Sequence, residues 1–165
     1  MSAPALRPML PSDAHTVAEI FRASIEGLAG EDYNPAQQEA WMSAADDEAA
    51  FAARREKELT LIATLDRVPV GFASLKDSDH IEMLYVHPRA ARRGVAKALV
   101  GALETLAAAR GITRLTVDAS DTARDFFGHR GYTAQRRNTV EVNGEWLGNT
   151  SMEKTLQPVN KGPLQ

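Results

Sequence analysis

Apolar residues along this chain recur with two different periods, and the switches between them outline its elements. A short strand is predicted over residues 5–9. Val17, Ile20, Phe21, Ile25 and Leu28 then recur at helical spacing behind Ser12 or Asp13, either of which can cap a helix. Gly27, Gly30 and the turn-rich stretch 31–35 break that helix. Pro35, suited to a first helical turn, opens a second helical region reaching about residue 56, with room for a break at 45–47. Residues 59–65 and 70–75 read as strands joined by a turn at 66–69, and a third strand follows at 80–86. Val95, Leu99, Leu103 and Leu106 form one face of a helix over 94–110, with Gly111 as its stop. Residues 112–118 alternate as a half-buried strand. Ser120 or Asp121 can cap a short helix ending at Gly131. Strands 132–142 and 145–156 flank Asn143-Gly144, a strong hairpin signal.

The order is β-α-α-β-β-β-α-β-α-β-β. It predicts an α/β (α+β) fold, a mixed but mostly antiparallel sheet with one β-α-β crossover and helices on both faces. Length adds that this is one domain, over residues 1–156 of the 165, with a flexible, polar tail at 157–165.

Charge narrows the partners. The net charge is −3, which argues against nucleic acid and acidic membrane surfaces as partners. No apolar run approaches the length of a membrane span, and the N-terminus lacks a signal pattern, so a cytoplasmic location is expected. There is no cysteine, which removes disulfides, thiolate metal sites and a cysteine nucleophile. His15, His80, His87 and His129 show no metal-binding spacing, so no metal is expected. A homodimer is compatible with the sequence, but nothing in it sets the oligomeric state.

Against the acidic background, one basic segment stands out. After the strand at 80–86 come His87-Pro88-Arg89-Ala90-Ala91-Arg92-Arg93-Gly94, and then the helix. A strand turning through a glycine-bearing loop into a helix aims backbone N–H groups and the positive end of the helix dipole at one spot, where phosphate binds. The loop has neither the three spaced glycines of a dinucleotide site nor the Gly-Lys-Ser/Thr of a P-loop.

Ala91-Arg92-Arg93-Gly94-Val95-Ala96 resembles the pyrophosphate loop of the GNAT superfamily of acyl-CoA-dependent N-acetyltransferases, whose usual pattern is Gln/Arg-x-x-Gly-x-Gly/Ala. Ala91 departs from it at the first position. The resemblance covers roughly residues 3–156 and extends to the element order. It implies that acetyl-CoA binds through Arg92, Arg93, Gly94, Val95, Ala96 and Lys97. It also implies a bulge in the fourth strand and a gap beside it, where the pantetheine arm bonds to the backbone of Leu84, Tyr85 and Val86. Without a cysteine, direct transfer in a ternary complex is the default.

Transfer to an amine needs a base, because a free alkyl amine has a pKa near 10. His80 and Glu82 stand two apart on a strand, hence on one side of it. GNAT enzymes commonly place a Glu or His base at one of these positions; Glu82 is the first choice, with His80 as partner or substitute. The family's Asn-x-x-Ala…Tyr-x-x-x-Gly-Phe signature is matched by Ser120, Ala123, Phe127, Gly131 and Tyr132. The tyrosine that would protonate the leaving thiolate is here Phe127, which has no proton to give. Tyr85, Tyr132 or a water are the substitutes, unless the thiolate leaves unassisted.

Tyr33, Gln37 and Trp41 fall at i, i+4 and i+8. Together with Trp146 and Asn149 of the hairpin they resemble a bacterial GNAT branch with Phe-Phe in place of Phe-Tyr. The resemblance implies that Tyr33, Trp41, Trp146 and Asn149 wall the acceptor pocket; taken residue by residue, the aromatics better suit filling the core between helix and sheet. The expected function is N-acetylation of a primary amine on a small molecule, less readily a peptide. The alternative, kept open by Phe127, is a non-catalytic acyl-CoA-binding regulatory module.

Overall fold

The structure, a computed structural model, describes residues 3–157, so the expected tail beyond Gln157 lies outside the described residues. Seven strands form one sheet: β1 (Ala5–Pro8), β2 (Leu59–Leu65), β3 (Val68–Lys76), β4 (His80–Val86), β5 (Arg114–Ser120), β6 (Thr133–Val142) and β7 (Glu145–Thr155). Their order is β1-β2-β3-β4-β5-β7-β6, with the C-terminal hairpin inserted so that β7, not β6, meets β5. All neighbours are antiparallel except β4 and β5. The helices are α1 (Ala14–Leu28), α2 (Pro35–Met42), α3 (Glu48–Lys57), α4 (Val95–Ala109) and α5 (Arg124–His129).

Local chemistry sets most helix starts. The Asp13 carboxylate accepts the Leu10 N–H and two bonds from Arg7, tying the end of β1 to the start of α1. That pairing with Arg7 holds the carboxyl below its usual range. Asn34 and Gln37 exchange side-chain-to-backbone bonds around Pro35, a reciprocal capping box for α2. The second helical region is divided: a 3-10 turn at Ser43–Ala45 ends α2, and Asp47 caps α3 by accepting the Ala50 N–H. The short α5 starts at Arg124 rather than at Ser120 or Asp121; the Ser120 hydroxyl accepts the Ala123 N–H in the turn before it.

Strand alternation sends side chains to two cores. One face packs Leu61, Ala73, Leu75 and Leu115 against Leu99, Leu103 and Phe127 of α4 and α5. The other packs Ile62, Phe72 and Leu147 against Phe21 and Ile25 of α1 and Phe51 of α3. Gly71 lets α4 approach: a Cβ there would stand 2.8 Å from Val95 Cγ1. The N-terminus of α4 is thereby pressed onto β3 beside β4. Among the described residues no helix is long and apolar enough to cross a membrane.

Candidate active site

The site begins where β4 and β5 part. They pair at only two positions, His80 with Thr116 and Ile81 with Val117. Immediately afterwards the β3–β4 register shifts: Leu75 faces Ile81 while Ser74 faces Met83, which leaves Glu82 as the extra residue of a β-bulge. The bulge changes which way the strand faces. Ile81 belongs to the α4-side core, and Met83 two residues on packs toward α1. Beyond the bulge, the β5-facing edge of β4 has no strand partner.

The parting strands open two cavities that share Trp41, Leu84, Tyr85, Ser120 and Ala123 as walls. The first, of about 480 Å³, lies between the end of α1 and the start of α4. It is lined by Val86, Arg92, Gly94, Val95, Ala96 and Lys97, and also by Ile25, Leu28 and Phe126, which the sequence reading missed. The α1 residues look like core because their helical period is that of any amphipathic helix. Arg92 and Gly94 both have positive φ (62° and 79°), and no side chain caps the start of α4. The first N–H groups of α4 thus open onto the cavity, and a Cβ at Gly94 would meet nothing within 4 Å. Arg93 is exposed and does not line the cavity.

The second cavity, of about 220 Å³, lies on the other side of the gap. Glu82, Asp118, Tyr33, Trp41, Phe127 and Asn149 are among its walls. Glu82 Oε2 stands 3.8 Å from His80 Nε2, and Asp118 Oδ2 stands 3.9 Å from the same nitrogen. His80 Nδ1 is 2.7 Å from the Thr116 hydroxyl, which orients the ring. The sequence reading missed Asp118, because only the parallel register of β4 on β5 brings it beside His80. Among the described residues no group of His, Asp and Glu is arranged to hold a metal ion.

Tyr33 lies in the loop before α2, not on the helix that the i, i+4, i+8 spacing implies. Its ring packs edge-on to Trp41 at 5.2 Å. Its hydroxyl donates to the Gly148 carbonyl (2.6 Å) and accepts the Asp121 N–H (2.9 Å), tying the loop to the hairpin and to the β5–α5 turn. Trp146 is not brought to the cavity. Leu147 turns into the α1-side core, so strand alternation sends Trp146 to the opposite face, where it is 60% exposed.

The tyrosines separate into two kinds. Tyr132 donates its hydroxyl to Glu104, and burial with that carboxylate raises its pKa, so its proton is committed away from the cavities. Tyr85 borders both cavities, and its hydroxyl accepts the Trp41 indole N–H at 3.2 Å. Burial pushes its pKa up to about 12, so it stays protonated. Phe127 is buried between Phe126 and Tyr132.

The acetyltransferase (GNAT) domain family model matches residues 29–156. This chain belongs to the GNAT superfamily of N-acetyltransferases. It is 35% identical over 147 residues to the uncharacterized N-acetyltransferase YafP of Escherichia coli K12, covering 89% of this chain and 93% of that one. A crystal structure of a GCN5-related N-acetyltransferase from Rhodopseudomonas palustris superposes with a TM-score of 0.93. It is 65% identical and covers 94% of this chain and 98% of its own. The PaiA N-acetyltransferase of Thermoplasma acidophilum, solved with coenzyme A, shares the fold at 19% identity and a TM-score of 0.74, covering 94% and 99% of the two chains.

Proposed function

We propose that this GNAT protein transfers an acetyl group from acetyl-CoA directly to a primary amine of a small molecule. The observation that carries this reading is the gap between β4 and β5. It opens at the Glu82 bulge and joins the cavity at the uncapped start of α4 to the cavity lined by the carboxylates Glu82 and Asp118, with His80 beside both.

The residues fit the cosubstrate. The positive-φ loop at Arg92 and Gly94, with the N–H groups of Val95, Ala96 and Lys97, suits the pyrophosphate, and Arg92 and Lys97 add charge. The unpartnered edge of Leu84, Tyr85 and Val86 suits the pantetheine amides, with Ser120, Ala123 and Phe127 across the gap. Acetyl-CoA supplies an acyl group activated as a thioester.

The chain's residues manage the protons. An ammonium reaching the second cavity loses one proton to Glu82, or to His80 beside it, and that proton passes to solvent. The amine nitrogen then forms its bond to the acyl carbon as the carbon–sulfur bond breaks. The second nitrogen proton is lost, and the sulfur gains one. Tyr85 holds a proton at its hydroxyl where the two cavities meet, and is suited to supply the sulfur and be reprotonated. Trp41, Tyr33 and Asn149 wall the acceptor. A non-catalytic acyl-CoA-binding module draws its support from Phe127; in the present reading Tyr85 or unassisted thiolate departure takes the missing tyrosine's part.

Thiol release from acetyl-CoA over a panel of primary amines identifies a working acceptor. With it, Glu82→Gln is expected to lose about 10²- to 10⁴-fold in kcat/KM with acetyl-CoA affinity nearly unchanged. Higher pH restores part of the rate by supplying neutral amine. A larger loss in His80→Gln would make His80 the base. Full activity in both variants would place the chemistry elsewhere.

A further inference from the structure

The acceptor cavity is chemically one-sided. Among the described residues, Glu82 and Asp118 are the charged ones in its walls, and no lysine or arginine lines it. The rest is largely aromatic and aliphatic, with Trp41, Met83 and Leu147 prominent. Asp118 is held in place: its Oδ1 accepts the Ser151 hydroxyl at 2.7 Å. The Ser151 oxygen in turn accepts from Asn138, which also donates to Asn149. That leaves Oδ2 facing His80. Arg137 on the hairpin, which packs against the wall residue Gly148, is already engaged by both oxygens of Asp121. Among the described residues, the walls therefore offer no lysine or arginine to an acidic acceptor, and His80 beside them already faces two carboxylates.

Resting on the reading of this cavity as the acceptor site, we propose that the protein selects a cationic alkylamine with an apolar body and no acidic group, and that Asp118 enforces the choice. Two carboxylates attract the ammonium, and the aromatic walls accept both its apolar body and, through ring faces, its charge. The same carboxylates oppose an α-carboxylate or phosphate on the acceptor, which would sit among like charges without a partner. Acetylation removes the charge from the nitrogen, so the carboxylates lose their hold on the neutral amide and product leaves.

The test compares phenethylamine, phenylalanine and phenylalaninamide, which share a body and differ in the acid. Each is titrated calorimetrically into the full chain saturated with coenzyme A, and thiol release from acetyl-CoA is measured in parallel. Phenethylamine and phenylalaninamide are expected to bind at least tenfold more tightly than phenylalanine, and Asp118→Asn to shrink that preference severalfold. The Asp118 side chain is 53% exposed on β5, so the substitution is compatible with folding, which circular dichroism checks. Equal binding of all three, tighter binding of phenylalanine, no binding of phenethylamine, or a preference untouched by Asp118→Asn would each overturn the proposal. Selective binding without thiol release would sink the transferase reading and leave this selectivity standing.

Discussion

The Trp41 indole N–H donates to the Tyr85 hydroxyl across 3.2 Å, which fills an acceptor site on that oxygen. Tyr85 also packs against Phe21 and Phe72, at ring-centroid distances of 4.7 and 5.7 Å, so its position is set by the core rather than by a loop. Tyr85→Phe keeps that packing and removes the proton. The expected result is a fall in kcat of about tenfold with KM for acetyl-CoA little changed. The effect is modest because a thiolate of pKa about 8.5 is a tolerable leaving group. An unchanged kcat would remove Tyr85 from the reaction.

Phe127→Tyr is the complementary change. If Tyr85 supplies the sulfur's proton as proposed, or the thiolate leaves unassisted, a hydroxyl at position 127 should alter the rate by less than about tenfold, or about 1.4 kcal/mol of barrier. A rise of several hundredfold would mean that the natural chain lacks an acid it needs, and would favour the acyl-CoA-binding module.

Gly94→Trp tests the loop. Nothing stands within 4 Å of a Cβ there, so the protein has room for a side chain. The cost to folding is the positive φ of 79°, about 1–2 kcal/mol for a residue with a Cβ. The indole would project from the uncapped start of α4. Calorimetry is expected to show acetyl-CoA binding abolished in a protein that still unfolds cooperatively. Binding equal to the parent's would show that the pyrophosphate lies elsewhere.

Glu104 governs stability rather than chemistry. It accepts from Arg130 (2.6 Å), Tyr132 (2.8 Å) and Lys154 (3.1 Å), joining α4 to the end of α5 and to β7. Burial alone would raise its pKa; the three donors outweigh that and lower it. A carboxylate with a lowered folded-state pKa contributes its stability in full above the ordinary value of 4.5 and loses it as pH falls through the lower, folded value. Glu104→Gln should therefore cost about 1.5–3 kcal/mol in urea unfolding at pH 7. The gap from the parent should narrow as the pH falls below 4.5. A gap that is constant with pH would assign the cost to packing instead.

Much of this protein was legible along the chain because the deciding signals are local. The strand at 80–86 coincides with β4, and the α4 helix is bounded by Gly94 and Gly111 as its apolar face implies. Asn143-Gly144 makes the β6–β7 turn, with both residues at positive φ. Period, capping chemistry and glycine each act within a few residues, so they survive being read in one dimension. Gly94 and its neighbours were placed at the cavity for the same reason: a loop entering a helix carries its geometry in its own backbone. What the chain could not disclose depends on which strands pair and in what register. The bulge at Glu82 adds one residue against β3 and reverses which face every later side chain of β4 takes. Asp118 meets His80 because β5 lies parallel to β4, and Tyr33 reaches Gly148 across 115 residues because the hairpin folds back with β7 inside. Trp146 faces solvent because its neighbour Leu147 is needed in the core. Alternation along a strand says that neighbours face opposite ways; only packing of the assembled sheet decides which of them faces in.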